Sequence, residues 1–199
     1  RELVVRELSE QVLSDGGNFE LSTMYHMIFL EDLLDLVNIH HAYCVEIPRE
    51  LTERIPIMYN WLEAMCHPDG EISLFNDAAL GITPSVSEIK DYGVRLRFLS
   101  LLADKKQYSG IADLPDSGYT RVEMGDAVAL IDRASVGPDY LPGHAHADTL
   151  SFELSLFGHR VIVNSGTSAY GTGEQRQLER GTAAHATVAI DGENSSEVW

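Results

Sequence analysis

The sequence predicts an α+β chain: antiparallel helices followed by the first strands of an antiparallel sheet. Up to about residue 108, apolar residues recur at helical spacing. After Gly110 the period drops to two. The strands also follow the helices as a block rather than alternating with them, the order of an α+β fold or of two units rather than of a parallel α/β sheet. The expected division is 1–108 helical and 109–199 sheet-forming, a multidomain fragment in which too few strands remain to close a sandwich.

Leu3, Val4, Leu8, Val12 and Leu13 share one side of a first helix, which the turn chemistry of Asp15, Gly16 and Gly17 ends. Ser22 is suited to cap a second helix. Its Met27, Leu30, Leu34 and Val37 form one stripe, and Phe29, Leu33 and Leu36 fill another side, as in a helix buried among helices. A third helix starts after Pro48, carries Ile55, Met58, Tyr59, Leu62 and Met65, and stops at His67, Pro68, Asp69 and Gly70. A loop over 70–84 leads to a fourth helix with Ile89, Tyr92, Leu96, Leu99 and Leu102. YTRVEM (119–124), a Gly-Asp turn and AVALIDR (127–133) predict a hairpin. Further strands are expected over 150–157, after a turn at Gly158 and His159 over 160–163, and over 186–190.

Charge narrows the partners. Among 199 residues, 14 Lys and Arg stand against 31 Asp and Glu, a net charge of −17. Nucleic acid and anionic membrane are poor partners for such a chain, because phosphate contacts need basic patches. An acidic substrate remains open to a local basic or His-lined cleft. No apolar stretch approaches the roughly 18 residues of a membrane span, so no membrane insertion is expected. The two cysteines, Cys44 and Cys66, are too few for a disulfide scaffold and are expected as buried free thiols. Arg1 opens inside a helical pattern and Trp199 closes without a polar tail, as expected of a piece of a longer chain.

Two segments carry candidate chemistry. In GHAHAD (143–148), His144 and His146 point the same way from an extended segment while Ala145 points away. Such a pair can share a metal, divide base and ligand roles, or be two solvated imidazoles. His185 completes a possible zinc set with His146, and Asn164 is a poor further ligand because a neutral amide oxygen binds zinc more weakly than a carboxylate. In the second segment, Tyr25 and His26 lie in the first turn of the second helix, where the positive helix end favours a tyrosinate. The bland alternative is a packing aromatic beside an exposed His.

The strings DGGNFELSTMYHMIFLEDLLDL (15–36), GHAHADTLSFELSLFGHRVIVNSGTSAYG (143–171) and GTAAHATVAIDG (181–192), with Arg176 and Arg180 between the last two, resemble the heparinase II/III-like polysaccharide lyases. The resemblance runs from about Asp15 to Trp199. It implies the last helices of an incomplete α/α toroid followed by the start of a layered β-sandwich. It implies that Tyr25 and His144 are the catalytic pair, and that His146 and His185 are zinc ligands bracing the sandwich near the cleft. A third ligand, usually Asp, is Asn164 here, and the usual His-Asn-Thr is His185, Ala186 and Thr187. The group that neutralises the substrate carboxylate would lie before Arg1.

The implied reaction is β-elimination at a uronic acid of an acidic polysaccharide, with Tyr25 as acid to the leaving oxygen and His144 as base or carboxylate partner. Glu20, His26, Arg176 and Arg180 are candidate substrate-binding or supporting groups. A periplasmic or secreted location follows from the same resemblance. Two rival readings stand beside it. One is a carbohydrate-binding or catalytically degenerate relative, to which Asn164 and Ala186 lend weight. The other is a zinc hydrolase with a water held by His146 and His185.

Overall fold

The structure is a computed structural model that describes residues 2–97, 108–138 and 140–198. Four helices come first: α1 (Glu2–Gln11), α2 (Thr23–Ala42), α3 (Arg49–Ala64) and α4 (Val86–Arg95). The expected Ser22 cap forms, accepting the Tyr25 N–H at the start of α2, and a reciprocal capping box of Ser85 with Glu88, not expected from the sequence, starts α4. Leu30, Leu34 and Val37 of α2 bury against Leu51, Ile55, Met58 and Leu62 of α3, with Leu8 of α1 and Ile89 of α4 in the same core. Leu99 and Leu102 of the expected fourth helix lie outside the described residues. None of the described helices is long and apolar enough to cross a membrane.

Five antiparallel strands follow in simple up-and-down order: β1 (Gly110–Leu114), β2 (Tyr119–Met124), β3 (Ala127–Asp132), β4 (Phe152–Leu156) and β5 (His159–Ile162). The predicted hairpin pairs Tyr119 with Asp132 and Met124 with Ala127. A short helix α5 (Glu174–Arg180) and a 3₁₀ turn over Thr182–Ala184 come later in the chain.

Three expectations need correction. The segment 186–190 is not a strand: it has only a bridge between Ile190 and Glu193, and Val188 and Ile190 face solvent. Neither β1 nor α5 was expected. Cys66 is buried but Cys44 is exposed, because Cys44 lies past the end of α2 with φ +52°.

The face of the sheet turned to the helices is unusually polar. Tyr119 and Arg121 of β2, Val128, Leu130 and Asp132 of β3, and Glu153 and Ser155 of β4 are all buried. A small apolar cluster of Leu21, Trp61, Met65, Phe75, Tyr119 and Leu130 joins the two blocks. Around it the contacts are hydrogen bonds. Arg121 donates to the Ala64 and Cys66 carbonyls at the end of α3 (3.1 and 2.7 Å), where a cation suits the negative helix end. His67 Nε2 meets Glu153 Oε2 at 2.6 Å and Nδ1 meets Ser155 Oγ at 2.7 Å. The Leu74 and Asn164 N–H groups complete the Glu153 carboxylate (2.8 and 3.1 Å). These buried groups of Arg121, His67 and Glu153 thus meet partners, as burial away from water requires. The opposite face carries half-buried Val122, Ala129, Ile131, Phe152, Leu154 and Leu156.

Candidate active site

The start of α2 is bolted to the 70–84 loop. Ser22 Oγ donates to the Asp77 carbonyl (2.6 Å) and Thr23 Oγ1 to the Ser73 carbonyl (2.5 Å). Tyr25, one turn in, is thereby placed relative to that loop. Its ring is half-buried, and its hydroxyl donates to the Tyr170 hydroxyl at 3.0 Å. Burial first, then the bond to Tyr170, raises the Tyr25 pKa above that of free tyrosine. This corrects the expectation of a helix-favoured tyrosinate: desolvation of the charged form outweighs the helix end.

His26 is also corrected. It is fully buried, with its ring 4.4 Å from that of Trp61. Nδ1 accepts the Asn18 N–H (3.2 Å) and Nε2 donates to the Met58 carbonyl (3.0 Å). Burial lowers its pKa to about 3, so it is a neutral structural imidazole that holds the 15–22 loop and does not reach substrate.

Asp77 organises the centre. Its side chain is 0% exposed. Oδ2 receives His144 Nδ1 at 2.9 Å and Arg176 Nη2 at 2.7 Å. Oδ1 receives His146 Nε2 at 2.7 Å and Arg176 Nη1. The backbone takes part as well, with the Asp77 N–H donating to the His144 carbonyl (3.1 Å). Burial alone would raise the Asp77 pKa, but the bonds from His144, His146 and Arg176 outweigh it and hold the carboxyl below the usual carboxylate range. The two histidines therefore do point the same way, and both point at Asp77. Asn76, in a left-handed conformation (φ +56°), supports the same loop: its Oδ1 accepts the His146 N–H at 2.9 Å.

The His144 side chain remains partly exposed. Its ring stacks on that of Tyr25, with centroids 3.9 Å apart and planes tilted by 31°. Nε2 lies 3.8 Å from Glu20 Oε1. Glu20 is half-buried and its pKa is raised, first by desolvation. Tyr25, His144, Glu20 and Tyr170 thus share one locality. Arg176 and Arg180 stand behind it, each 3% exposed. Arg176 grips Asp77 and lies 5.4 Å from the Tyr170 ring centroid. Arg180 donates to the Ala145 and Pro142 carbonyls (2.8 and 3.1 Å). Both hold the His144 loop in place, the supporting one of the two roles expected for them.

His146, His185 and Asn164 are neighbours but do not converge. His146 Nδ1 and His185 Nε2 are 3.3 Å apart, while Asn164 Oδ1 lies 3.4 Å from Nδ1, the other nitrogen of His185. The two imidazole nitrogens of one ring diverge, so these three donors do not surround a single point. Among the described residues no group of three His, Cys, Asp or Glu is placed to hold a metal. The residues thus do not fit a structural zinc site, which takes four ligands, and they do not supply the three protein ligands of a zinc hydrolase. Burial lowers the His185 pKa to about 4.

Sequence reasoning missed Asp77, Asn76 and Tyr170. For Tyr170 a signal existed, since it lies inside the 143–171 string. Asp77 had no local signal.

This joining of a helical block to a sheet is matched by known proteins. The heparinase II/III N-terminal profile covers residues 2–94 and the heparinase II/III-like C-terminal profile covers 106–199. The chain belongs to the heparinase II/III family. A heparin-sulfate lyase of Bacteroides stercoris is 28% identical across 97% of this chain. Another from Pedobacter heparinus is 23% identical across 94% of it. The chain spans 31% of the length of each of these relatives. A solved heparinase III superposes with a TM-score of 0.82 at 18% identity, covering 97% of this chain and 35% of its own. A heparan sulfate lyase from Pedobacter heparinus gives 0.79 at 19% identity, covering 97% and 33% respectively. These two structural likenesses bear on the fold.

Proposed function

We propose that the full-length protein is a lyase that cleaves an acidic, uronate-containing polysaccharide of the heparin or heparan sulfate kind by β-elimination. The observation that carries this is the stack of Tyr25 on His144, one from α2 and one from the sheet-side loop, with the His144 ring bound to Asp77 through Nδ1 and still partly exposed. The two relatives named as heparin-sulfate lyases support the substrate class.

The chemistry needs an acid and a base on either end of one elimination. A base removes the proton on C5 of the uronate. The C5–H electron pair becomes the C4=C5 double bond, the C4–O bond breaks, and the leaving oxygen takes a proton. Tyr25 is the acid: its raised pKa keeps the hydroxyl protonated at neutral pH. His144 is the base; in the syn alternative it partners the substrate carboxylate and Tyr25 must first lose its proton to act as base, which its raised pKa opposes. Positioned groups of this kind contribute roughly 10²–10⁴-fold each. A group that neutralises the carboxylate, and so stabilises the developing dianion, belongs to the rest of the protein. A polymeric substrate of this kind supports a periplasmic or secreted location.

The test is absorbance at the unsaturated-uronate band, using the full-length protein with heparin, heparan sulfate and other uronate polymers. A rise with a sulfated uronate polymer, absent in His144→Ala, is the expected result. Silence across the panel from a folded protein would overturn the reading in favour of a non-catalytic carbohydrate binder.

A further inference from the structure

The Asp77 carboxylate is buried, yet it contacts three side chains that are cationic or titratable, and two of them belong to the HAH segment. A carboxylate whose oxygens are already taken by a guanidinium offers only lone pairs. Every ring nitrogen that bonds to it must then carry the hydrogen. On His144 that nitrogen is Nδ1, at 2.9 Å. The lone pair is left on Nε2, 3.8 Å from Glu20 Oε1. On His146 the same rule puts the hydrogen on Nε2.

Resting on the lyase reading above, we infer that Asp77 is the positioning residue of the reaction: it fixes His144 as the Nδ1–H tautomer and aims Nε2 at the substrate. Arg176 is its clamp. Two guanidinium N–H groups hold the carboxylate plane, so the carboxylate cannot turn away from His144. The chain path makes this role necessary. His144 comes from the sheet-side half and Tyr25 from the helical half, and Asp77 joins them. Its carbonyl accepts the Ser22 cap of the Tyr25 helix while its side chain orients His144. A shift in Asp77 would therefore alter both the direction of the His144 ring and its distance from Tyr25. It does not touch substrate, because its side chain has no exposed surface.

The alternative is that Asp77 is only a structural tie. Two readouts separate them. The first is the ¹⁵N spectrum of histidine-labelled full-length protein, with His144 assigned by its loss in His144→Gln. The expected pattern is a protonated Nδ1 and a pyridine-like Nε2; a hydrogen found on Nε2 overturns the proposal. The second is Asp77→Asn, whose amide N–H cannot accept from a ring N–H. In a variant that stays folded, kcat should fall about 10²–10⁴-fold while KM stays within about threefold, since the loss is confined to the transition state. A folded variant with kcat within about threefold of the parent overturns the proposal. If Asp77→Asn fails to fold, the spectrum of the unaltered protein decides alone. His144→Ala keeps the two levels apart. Its inactivity beside an active Asp77→Asn would sink only the positioning role, and its full activity would sink the role of His144 itself.

Discussion

Removing one oxygen from Tyr25 separates catalysis from packing. In Tyr25→Phe the ring still stacks on His144, where the centroids are 3.9 Å apart, and the loss is one hydroxyl whose bond to Tyr170 is 3.0 Å long. A neutral hydrogen bond of this kind contributes about 0.5–1.5 kcal/mol to stability. Loss of a general acid costs roughly 10²–10⁴ in rate, which at about 1.4 kcal/mol per decade is about 3–6 kcal/mol on the barrier. The catalytic loss should thus exceed the stability loss by about 1 kcal/mol or more. The assay is the initial rate of unsaturated-uronate formation by the full-length variant, beside its thermal midpoint. Tyr170→Phe is the companion: it removes the same bond but leaves the Tyr25 hydroxyl, and should lose far less rate. A folded Tyr25→Phe that turns over within about tenfold of the parent would refute the acid role.

Other expectations test the surroundings of this pair. His26 has its pKa lowered to about 3 against 6.5 in the unfolded chain, so the unfolded state gains the proton first as pH falls. Its contribution is present above pH 6.5 and drains away toward pH 3, about 5 kcal/mol across the window at about 1.4 kcal/mol per unit. Thermal midpoints against pH should flatten in His26→Gln, and parallel curves would show that other groups control acid stability. Gly166 has φ +62°, and a Cβ there would sit 2.2 Å from the Ala78 carbonyl oxygen, next to Asp77. Gly166→Ala should cost more than the roughly 1–2 kcal/mol of the left-handed backbone alone and should also lower activity. Gly81→Ala (φ +76°, open space) should show only the backbone cost, and equal midpoints for the two variants would refute the close-approach argument. Because His146, His185 and Asn164 do not converge, the protein dialysed against zinc should retain well under one equivalent by elemental analysis, and Asn164→Asp should raise it. A full equivalent in the unaltered protein would show that the cluster regroups around the ion.

The helices were legible because cap and stripe agree in them: Ser22 and Pro48 mark starts, and Leu30, Leu34, Ile55 and Leu62 mark buried faces. The hairpin was legible for the same reason, a turn flanked by alternation. Where a segment is held from far away, local pattern misleads. Val188 and Ile190 look like strand residues but have no neighbouring strand among the described residues. EQRQLER carries one apolar residue, Leu178, which is exposed, and α5 instead buries Arg176, Glu179 and Arg180. Tyr25 and His144 were found through the resemblance, whereas spacing alone left packing and solvation open. His26 was misread because its partners, the Met58 carbonyl and the Trp61 ring, lie on α3. Asp77 was invisible for a stronger reason. It is one of 31 acidic residues, and its partners lie 67, 69 and 99 positions further along the chain.

The polar inner face of the sheet bears on how such a chain can be recombined. A connector placed in a chimera between residues 97 and 108 would exchange the helical block of one relative for that of another. Yet Glu153 and Asp77 each sit fully buried with their partners on the opposite side of that seam. Removing one partner of a buried charge pair typically costs about 3–5 kcal/mol. A chimera joined at the connector inherits the whole of that mismatch unless His67, Asp77, Glu153 and Arg176 travel as a set. Homologous exchange should therefore tolerate apolar divergence between the blocks far better than the loss of any one of these four residues.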